Sequence, residues 1–317
     1  MENIAILTGG DSSEYDISIL SANNVLKNID KSRYNCVIVL LKDGIYKVDN
    51  ITFNLDDFSY KKSNIKYTID KVFMALHGTP AENGLIQDYF DKIKIPYTSC
   101  NSVISALTFN KFKCNQTLKK YGFKCANSIL ISVDKQLSEN EIIRQIGIPQ
   151  IVKPNSAGSS YGISLVRKKN QLKSAISNAL KYDSKVIIEN LIVGTEVSSG
   201  VYFDGENIKA LPLTEIISDN EFFDFEAKYE GKSREITPAK INNTLTQLVK
   251  KTSINIYERM QLSGICRIDY IIEDKIPYII EINTIPGLTE KSIIPQQIKA
   301  DGLTLKEIFN LSLSNIN

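Results

Sequence analysis

The sequence predicts an α/β protein with a parallel sheet in its first hundred residues and mixed α and β structure after them. Strand and helix patterns alternate over that first segment, which is typical of βαβ units. Apolar residues make up 43% of the 317 residues and charged residues 23%, as in ordinary globular proteins. At roughly one domain per 150 residues, a chain of this length holds two domains, or three small ones.

The first segment begins with a short apolar strand, and a turn of glycines and polar residues leads from it into a helix. The predicted elements are strands at 4–8, 34–41 and 72–76 and helices at 17–28 and 85–92. Backbone amides in the turn at 9–14 are able to meet a ligand. A polar stretch at 97–102 predicts a domain boundary near residue 98.

Beyond that boundary, after the first domain at 1–98, we expect a second domain at 99–188 and a third at 189–317. The elements predicted for the second are a helix at 104–121, strands at 148–152 and up to 166, and a helix around 172–180 with an apolar core stripe. From residue 185 onward, across the boundary into the third domain, the predicted elements are strands at 185–189, 196–203, 208–217, 264–272 and 276–283, a helix at 245–261, and a charged loop or lid at 218–239.

Composition excludes several classes of function. The 38 basic and 36 acidic residues are scattered along the chain, which argues against nucleic-acid binding. With one histidine, His77, a multi-histidine zinc site is excluded, so a metal would need carboxylate and amide ligands of the kind that suit Mg²⁺ or Ca²⁺. Five cysteines without a C-x-x-C pair, no signal-peptide pattern and no long apolar run predict a cytoplasmic protein that does not enter membranes.

The last two predicted strands carry the strongest chemical signal. Side chains alternate along a strand, so Arg267 and Asp269 share a face, and Glu281 and Asn283 share the corresponding face of the next strand. Oxygen ligands beside an arginine suit one or two Mg²⁺ ions that carry a polyphosphate. The alternative interpretation, equally consistent with spacing alone, is a solvated polar face on a half-exposed hairpin.

Two glycine-containing segments predict anion contacts. The strand ending at Lys153 runs into a loop of glycines and serines, including Ser159 and Ser160, that is able to close over phosphates. It is not a Walker A motif, and the Gly9-Gly10 turn does not make a dinucleotide-binding fingerprint. After Asn283, the amide of Gly287 is a candidate oxyanion donor, although an ordinary turn explains this glycine as well.

Two single residues have competing interpretations. His77, at the end of an apolar strand, is either a catalytic base or a hydrogen-bonded residue at a strand end, and the structural interpretation is favoured. Glu14 either caps the first helix or faces a ligand amine, and capping is favoured.

Taken together and in order, these segments resemble the D-alanine–D-alanine ligases of the ATP-grasp superfamily over nearly the whole chain. The matching motifs are GGDSSEYDIS at 9–18, LHG at 76–78, SALTFNK at 105–111, IVKP at 151–154, AGSSYG at 157–162, GTE at 194–196, FDFEAKY at 223–229, RID at 267–269 and EINTIPG at 281–287. The order of the motifs makes the resemblance specific.

The resemblance implies an ATP-grasp fold: an N-terminal parallel-sheet domain, then two α+β subdomains that clamp ATP. It assigns phosphate binding to Lys111 and Lys153 with the serine loop, including Ser159 and Ser160. It assigns adenine and ribose contacts to Glu189, Asn190, Leu191 and Glu196. The two Mg²⁺ ions, or Mn²⁺ in their place, would be held by Asp269, Glu281 and Asn283.

The resemblance also implies the reaction, in which two D-alanines are joined through an acyl phosphate for peptidoglycan precursors. The residues that it makes catalytic are Glu14, Ser159, Tyr229, Arg267 and Gly287, and those that it makes substrate-binding are His77, Lys228 and Ser292. The family is commonly dimeric, which implies a homodimer formed through the N-terminal domain.

The chain departs from the family pattern at Ala81, Asn83, Asp88 and Asn190. Three alternatives to the D-alanine ligase therefore stay open. They are an ATP-grasp ligase whose second substrate is D-serine or D-lactate, an ATP-binding module without turnover and, more remotely, a dinucleotide oxidoreductase.

Overall fold

The computed structural model describes residues 1–134, 137–218 and 233–316. Its strands are β1 (Glu2–Gly9), β2 (Tyr34–Lys42), β3 (Ile45–Val48), β4 (Ile51–Thr52), β5 (Tyr60–Lys62), β6 (Ile65–Tyr67), β7 (Lys71–Met74), β8 (Ser128–Ser132), β9 (Gln150–Pro154), β10 (Ser164–Val166), β11 (Lys185–Asn190), β12 (Thr195–Phe203), β13 (Ile208–Ala210), β14 (Thr214–Ser218), β15 (Ser233–Ile236), β16 (Cys266–Glu273) and β17 (Ile276–Asn283).

The helices of the described residues follow the same chain order. They are α1 (Tyr15–Asn28), α2 (Leu85–Ile93), α3 (Ser102–Phe109), α4 (Lys111–Lys120), α5 (Glu139–Ile146), α6 (Leu172–Ala179), α7 (Asn243–Arg259), α8 (Ile293–Ala300) and α9 (Leu305–Ser314). None of these helices is long and apolar enough to cross a bilayer.

Three sheets organise the described residues. The N-terminal sheet has the order β4-β3-β2-β1-β7, the central sheet β10-β9-β11-β8, and the C-terminal sheet β15-β14-β12-β16-β17 with β13 beside β12. β1 pairs in parallel with both β2 and β7, as predicted for a βαβ unit. The predicted divisions at residues 98 and 188 stay predictions, and the second falls inside β11.

Two predicted elements are divided in the structure. The single helix expected at 104–121 is two helices, because Asn110 ends α3 with an extended backbone and its side chain accepts the Lys113 N–H to cap α4. This break places Lys111 at the start of α4. The strand expected at 208–217 is divided into β13 and β14, because Pro212 has no N–H to donate to a ladder.

The strands between β2 and β7 were not predicted from the sequence. β3 and β4 extend the N-terminal sheet as antiparallel strands, so that sheet is mixed, and β5 and β6 form a separate hairpin. These strands have two to four residues each, too few for a period to be recognised. They pack around the aromatic cluster of Phe53 and Phe58.

Candidate active site

An open cavity of about 690 Å³ brings together residues that are remote in sequence. Among the described residues, those predicted for a site that line this cavity are Glu14, Lys111, Lys153, Ser159, Ser160, Glu281 and Asn283. They come from the β1–α1 loop, the start of α4, β9 and the loop after it, and β17. Elements of all three sheets therefore contribute polar groups to one cavity.

Two lysines supply the positive charge of the cavity. Lys153 points from a strand whose five residues are all buried, and its Nζ lies 2.6 Å from a Glu189 carboxylate oxygen. The Asn115 amide donates to the other Glu189 oxygen at 2.6 Å. Lys111 Nζ donates to the Ala157 carbonyl at 2.6 Å, and burial lowers the pKa of Lys111 although Glu281 opposes this.

The serine loop, residues 155–162, curves through left-handed backbone conformations. Ser159 and Ser160 have φ of 53° and 57°, which is uncommon for residues other than glycine. The start of the loop is fixed because the Asn155 carbonyl accepts the Lys111 N–H at 3.0 Å and the Asn155 side chain accepts the Phe112 N–H at 2.9 Å. The loop therefore stays attached to the first turn of α4, beside the Lys111 ammonium.

Two glutamates, Glu14 and Glu82, also line the cavity. Glu14 occupies the N-cap position of α1, but its side chain makes no capping hydrogen bond, so the favoured capping interpretation was wrong. One of its oxygens would lie 3.0 Å from a Cβ at Gly78 and 3.1 Å from one at Gly158. These two glycines let backbone approach the carboxylate closely.

Glu82 is a cavity residue that sequence reasoning did not select. Burial raises the pKa of Glu82 to about 7, and the negative charge of Glu14 adds to this shift. The available signal was its position four residues after Gly78, in a segment noted only for its departures from the family pattern. A carboxyl with such a pKa is able to exchange a proton near neutral pH.

The polar face of the C-terminal hairpin is buried at one end. Asp269 lies directly opposite Glu281 across the strands, and Arg267 lies opposite Asn283. Arg267 Nε and Nη2 bind Asp269 at 2.8–3.1 Å, and these side chains are only 13% and 9% exposed. The solvated-face alternative is therefore wrong for this pair.

The electrostatics of the pair follow from its burial. Burial works against the charged form, but the Asp269 carboxylate raises the pKa of the Arg267 guanidinium above its usual value. Ser198 Oγ donates to Asp269 at 2.5 Å, and Glu281 lies 3.8 Å from Arg267. Among the described residues no three His, Cys, Asp or Glu side chains form a metal-ligand cluster, and the predicted metal set depends on the Asn283 amide.

His77 is buried, and both ring nitrogens contact protein groups. Nδ1 lies 2.9 Å from the Ile285 carbonyl, which can only accept, so we assign the proton to Nδ1. Nε2 then accepts from Ser21 Oγ at 2.8 Å, and that hydroxyl accepts the Leu288 N–H at 3.2 Å. His77 thus joins α1 to both sides of Gly287, in agreement with the structural interpretation.

Gly287 and Ser292 lie together at the start of α8. A Cβ placed on Gly287 would lie 2.8 Å from Ser292 Oγ, so the backbone at Gly287 passes close to this side chain. Ser292 is the N-cap residue of α8, but its hydroxyl instead accepts the Thr289 N–H at 3.1 Å. Neither residue is among those that line the cavity.

The remaining predicted residues lie outside the cavity lining or outside the described residues. Asn190 is bound to backbone groups, accepting the Asn127 N–H at 2.6 Å and donating to the Leu191 carbonyl at 3.3 Å. Glu196 lies near the start of β12. Lys228 and Tyr229, and most of the predicted lid at 218–239, fall outside the described residues.

Three residues that depart from the family pattern lie in the segment from Ala81 to Asp88, outside the cavity lining. Ala81 is fully buried, and Asp88 pairs at 2.6 Å with Lys92 on the exposed surface of α2. Asn83 Oδ1 accepts the Leu85 N–H at 3.2 Å, as an aspartate would.

The fold and this lysine-lined cavity between sheets define the chain as an ATP-grasp protein. Family models described as D-ala D-ala ligase N-terminus and D-ala D-ala ligase C-terminus match residues 3–100 and 118–313. The chain therefore belongs to the D-alanine–D-alanine ligase family, and the predicted fold class is confirmed.

Individual relatives match over almost the whole chain. A D-alanine–D-alanine ligase of Flavobacterium johnsoniae is 49% identical over 314 residues, covering 98% of this chain and 97% of the relative. The solved VanG D-Ala:D-Ser ligase from Enterococcus faecalis has a TM-score of 0.90 at 27% identity, covering 99% and 98%. A Bacillus anthracis D-alanine–D-alanine ligase solved with ATP has a TM-score of 0.80 at 27% identity, covering 99% and 96%.

Proposed function

We propose that this chain joins two D-alanines into D-alanyl-D-alanine, with cleavage of ATP to ADP and phosphate, to supply peptidoglycan precursors. The observation that carries the proposal is the cavity, whose lining combines two lysines with the carboxyl groups of Glu14, Glu82 and Glu281 and the amide of Asn283. Positive charge for a polyphosphate and negative charge for an ammonium are what such a reaction requires in one site.

The nucleotide would lie against the central sheet. Lys111 and Lys153 would hold its phosphates together with the serine loop, because both ammonium groups line the cavity beside that loop. The segment from Glu189 to Leu191 would meet adenine, and Glu196 the ribose. The relative from Bacillus anthracis that was solved with ATP supports nucleotide use.

The hairpin residues suit a divalent cation. Glu281 and Asn283 line the cavity, and Asp269 lies directly opposite Glu281, so carboxylate and amide oxygens converge on one face. Oxygen donors of this kind suit Mg²⁺, or Mn²⁺ in its place. We propose that these three residues hold two ions, which when bound would neutralise charge on the transferred phosphoryl group.

The acyl transfer follows from the poor reactivity of a carboxylate. The terminal phosphoryl group of ATP passes to the carboxylate of the first D-alanine, and the amine of the second D-alanine attacks the resulting acyl phosphate and displaces phosphate. Glu14 would take the ammonium of the first D-alanine. Arg267 and the Gly287 N–H would stabilise the tetrahedral oxyanion, for which one donor typically contributes about 3 kcal/mol.

The other predicted residues complete the proposed site. Ser159 and Tyr229 would link with Glu14 to close the site, which matters because water hydrolyses an exposed acyl phosphate. Lys228 would reach phosphate or the second substrate, and Ser292 would receive the second carboxylate. His77, with both ring nitrogens bonded inside the protein, would act by holding the 285–288 segment that carries Gly287.

The second substrate has one specific competitor. The VanG relative is named a D-Ala:D-Ser ligase, and its fold is very similar to this one, so D-serine is the second candidate.

We further propose a homodimer formed through the N-terminal domain and a cytoplasmic location, which agrees with five free thiols. A monomer by light scattering would contradict the dimer.

The test is phosphate release from Mg-ATP with D-alanine, L-alanine, D-serine and D-lactate, alone and in pairs, with products identified by mass. We expect D-alanine alone to yield ADP, phosphate and the dipeptide. Products that contain D-serine in preference would favour the second candidate. If ATP binds and no substrate drives turnover, the proposed function is wrong and the chain is a binding module.

A further inference from the structure

The serine loop is held at both ends by a pair of adjacent residues beyond α6 that no functional assignment includes. At the start of the loop, the Ser156 N–H donates to Asp183 Oδ2 at 2.7 Å. The other oxygen of Asp183 accepts the Lys185 N–H at 3.1 Å, which anchors the carboxylate to β11. The Asn155 N–H donates to the Lys185 carbonyl at 2.9 Å, so this end of the loop is fixed twice.

At the far end of the loop, Tyr182, the residue before Asp183, contacts Tyr161 and Gly162. Its ring stacks on Tyr161 with centroids 5.6 Å apart and planes at 24°, and Tyr161 lines the cavity. Tyr182 also covers Gly162, where an added Cβ would lie 2.6 Å from the Tyr182 ring. Gly162 has φ of 72°, so both its conformation and its contact with the ring require glycine.

We propose that Tyr182 and Asp183 are positioning residues, which hold the serine loop over the nucleotide phosphates in the proposed reaction. This inference rests on the proposed function, because the phosphates are its ligand. The physical reason is entropic: a loop already fixed at its ends loses less freedom when the nucleotide binds. Its middle, at Ser159 and Ser160, is thereby presented to the cavity.

Exposure makes the proposal testable without disrupting the fold. Tyr182 is 47% exposed, and Tyr121, at the end of α4, is 46% exposed and serves as a matched control. We expect Tyr182→Ala to raise KM for Mg-ATP about tenfold, with kcat changed less than KM. The reason is that a less ordered serine loop weakens nucleotide binding more than it slows the chemical step. KM for D-alanine should change less than twofold.

Conservative variants separate stacking from general damage. Tyr182→Phe keeps the ring and should restore KM to within twofold of wild type, and Tyr121→Ala should also match wild type. Asp183→Asn retains one acceptor oxygen for two N–H donors and should raise KM for Mg-ATP about threefold, less than Tyr182→Ala. An equal loss in Tyr182→Phe and Tyr182→Ala would overturn the stacking argument.

A binding measurement keeps this test apart from that of the proposed function. Titration with Mg-ADP should show about tenfold weaker binding to Tyr182→Ala than to wild type, whether or not any amino acid drives turnover. Circular dichroism should show both proteins folded. Unchanged Mg-ADP affinity and unchanged KM in folded Tyr182→Ala would overturn the positioning role.

Discussion

Two buried ion pairs among the described residues, one on the central sheet and one on the C-terminal sheet, are built differently. Lys153 and Glu189 meet across neighbouring strands at 2.6 Å, and Lys153 itself lines the cavity. Arg267 and Asp269 belong to one strand and meet through a planar fork at 2.8–3.1 Å, outside the cavity lining. The compact ammonium of Lys153 is able to contact a ligand directly, whereas the planar guanidinium of Arg267 holds Asp269 in a fixed geometry.

The difference shows why charge alone does not define a role. A lysine has one compact charge on a flexible stem, so the Lys153 ammonium can turn from Glu189 towards a phosphate. The Arg267 fork instead satisfies both Asp269 oxygens, and Ser198 adds a third donor. Isosteric substitutions at the two carboxylates should therefore have unequal effects.

The largest effect is expected from Asp269→Asn. Removing the charge deprives a buried guanidinium of its nearest counter-ion and leaves only Glu281 at 3.8 Å, and breaking a buried pair typically costs about 3–5 kcal/mol of unfolding free energy. Turnover should fall at least about 100-fold, since the proposed ligand and oxyanion groups are both disturbed. Urea unfolding and phosphate release measure the two effects. Asp88→Asn, on the exposed surface of α2, is the control, and an equal loss there would refute the argument.

A smaller effect is expected from Glu189→Gln. The amide oxygen still accepts from Asn115 or Lys153, so the loss of stability should be about 1–3 kcal/mol, less than for Asp269→Asn. KM for Mg-ATP should rise with a modest change in kcat, because Lys153 loses the partner that orients it. Stability losses in the reverse order would contradict the contrast between the two pairs.

Glu82, in the cavity lining, offers a pH test. Because the folded pKa of Glu82 is about 7, above its usual value, the unfolded state releases the proton first as pH rises. The contribution of Glu82 to stability should therefore be greatest at low pH and fall by about 1–3 kcal/mol between about pH 4.5 and 7. Glu82→Gln should lose this slope in urea unfolding, and the exposed Glu206→Gln should keep it. A slope that persists in Glu82→Gln would disprove the assignment.

The smallest effect is expected from Ser198→Ala. It removes one donor from Asp269 and leaves the Arg267 fork in place, so the cost should be about 1 kcal/mol, with turnover within a fewfold of wild type. Urea unfolding measures the loss of stability, and phosphate release measures turnover. A loss as large as that of Asp269→Asn would show that Ser198, and not the fork, holds the carboxylate.

Much of the site was predictable because short motifs carry their own geometry. The two-residue period of β16 and β17 placed Arg267 with Asp269 and Glu281 with Asn283 on shared faces, and cross-strand register agrees. The break in the helix at Asn110 and the raised pKa of Glu82 were not predictable. The break depends on a single capping residue inside a continuous helical pattern, and the pKa of Glu82 depends on burial and on Glu14, which is distant in sequence.

The sequence by itself determined the α/β class, the family and the residue types of the cavity, because periodicity and ordered motifs are local properties of the chain. Only the tertiary structure decided which charges are paired, which line the cavity, and which residues support the serine loop. Burial and distance depend on contacts between remote segments, as when Asp183 meets Ser156 and Tyr182 covers Tyr161. Such contacts are set by packing and leave no period in the sequence.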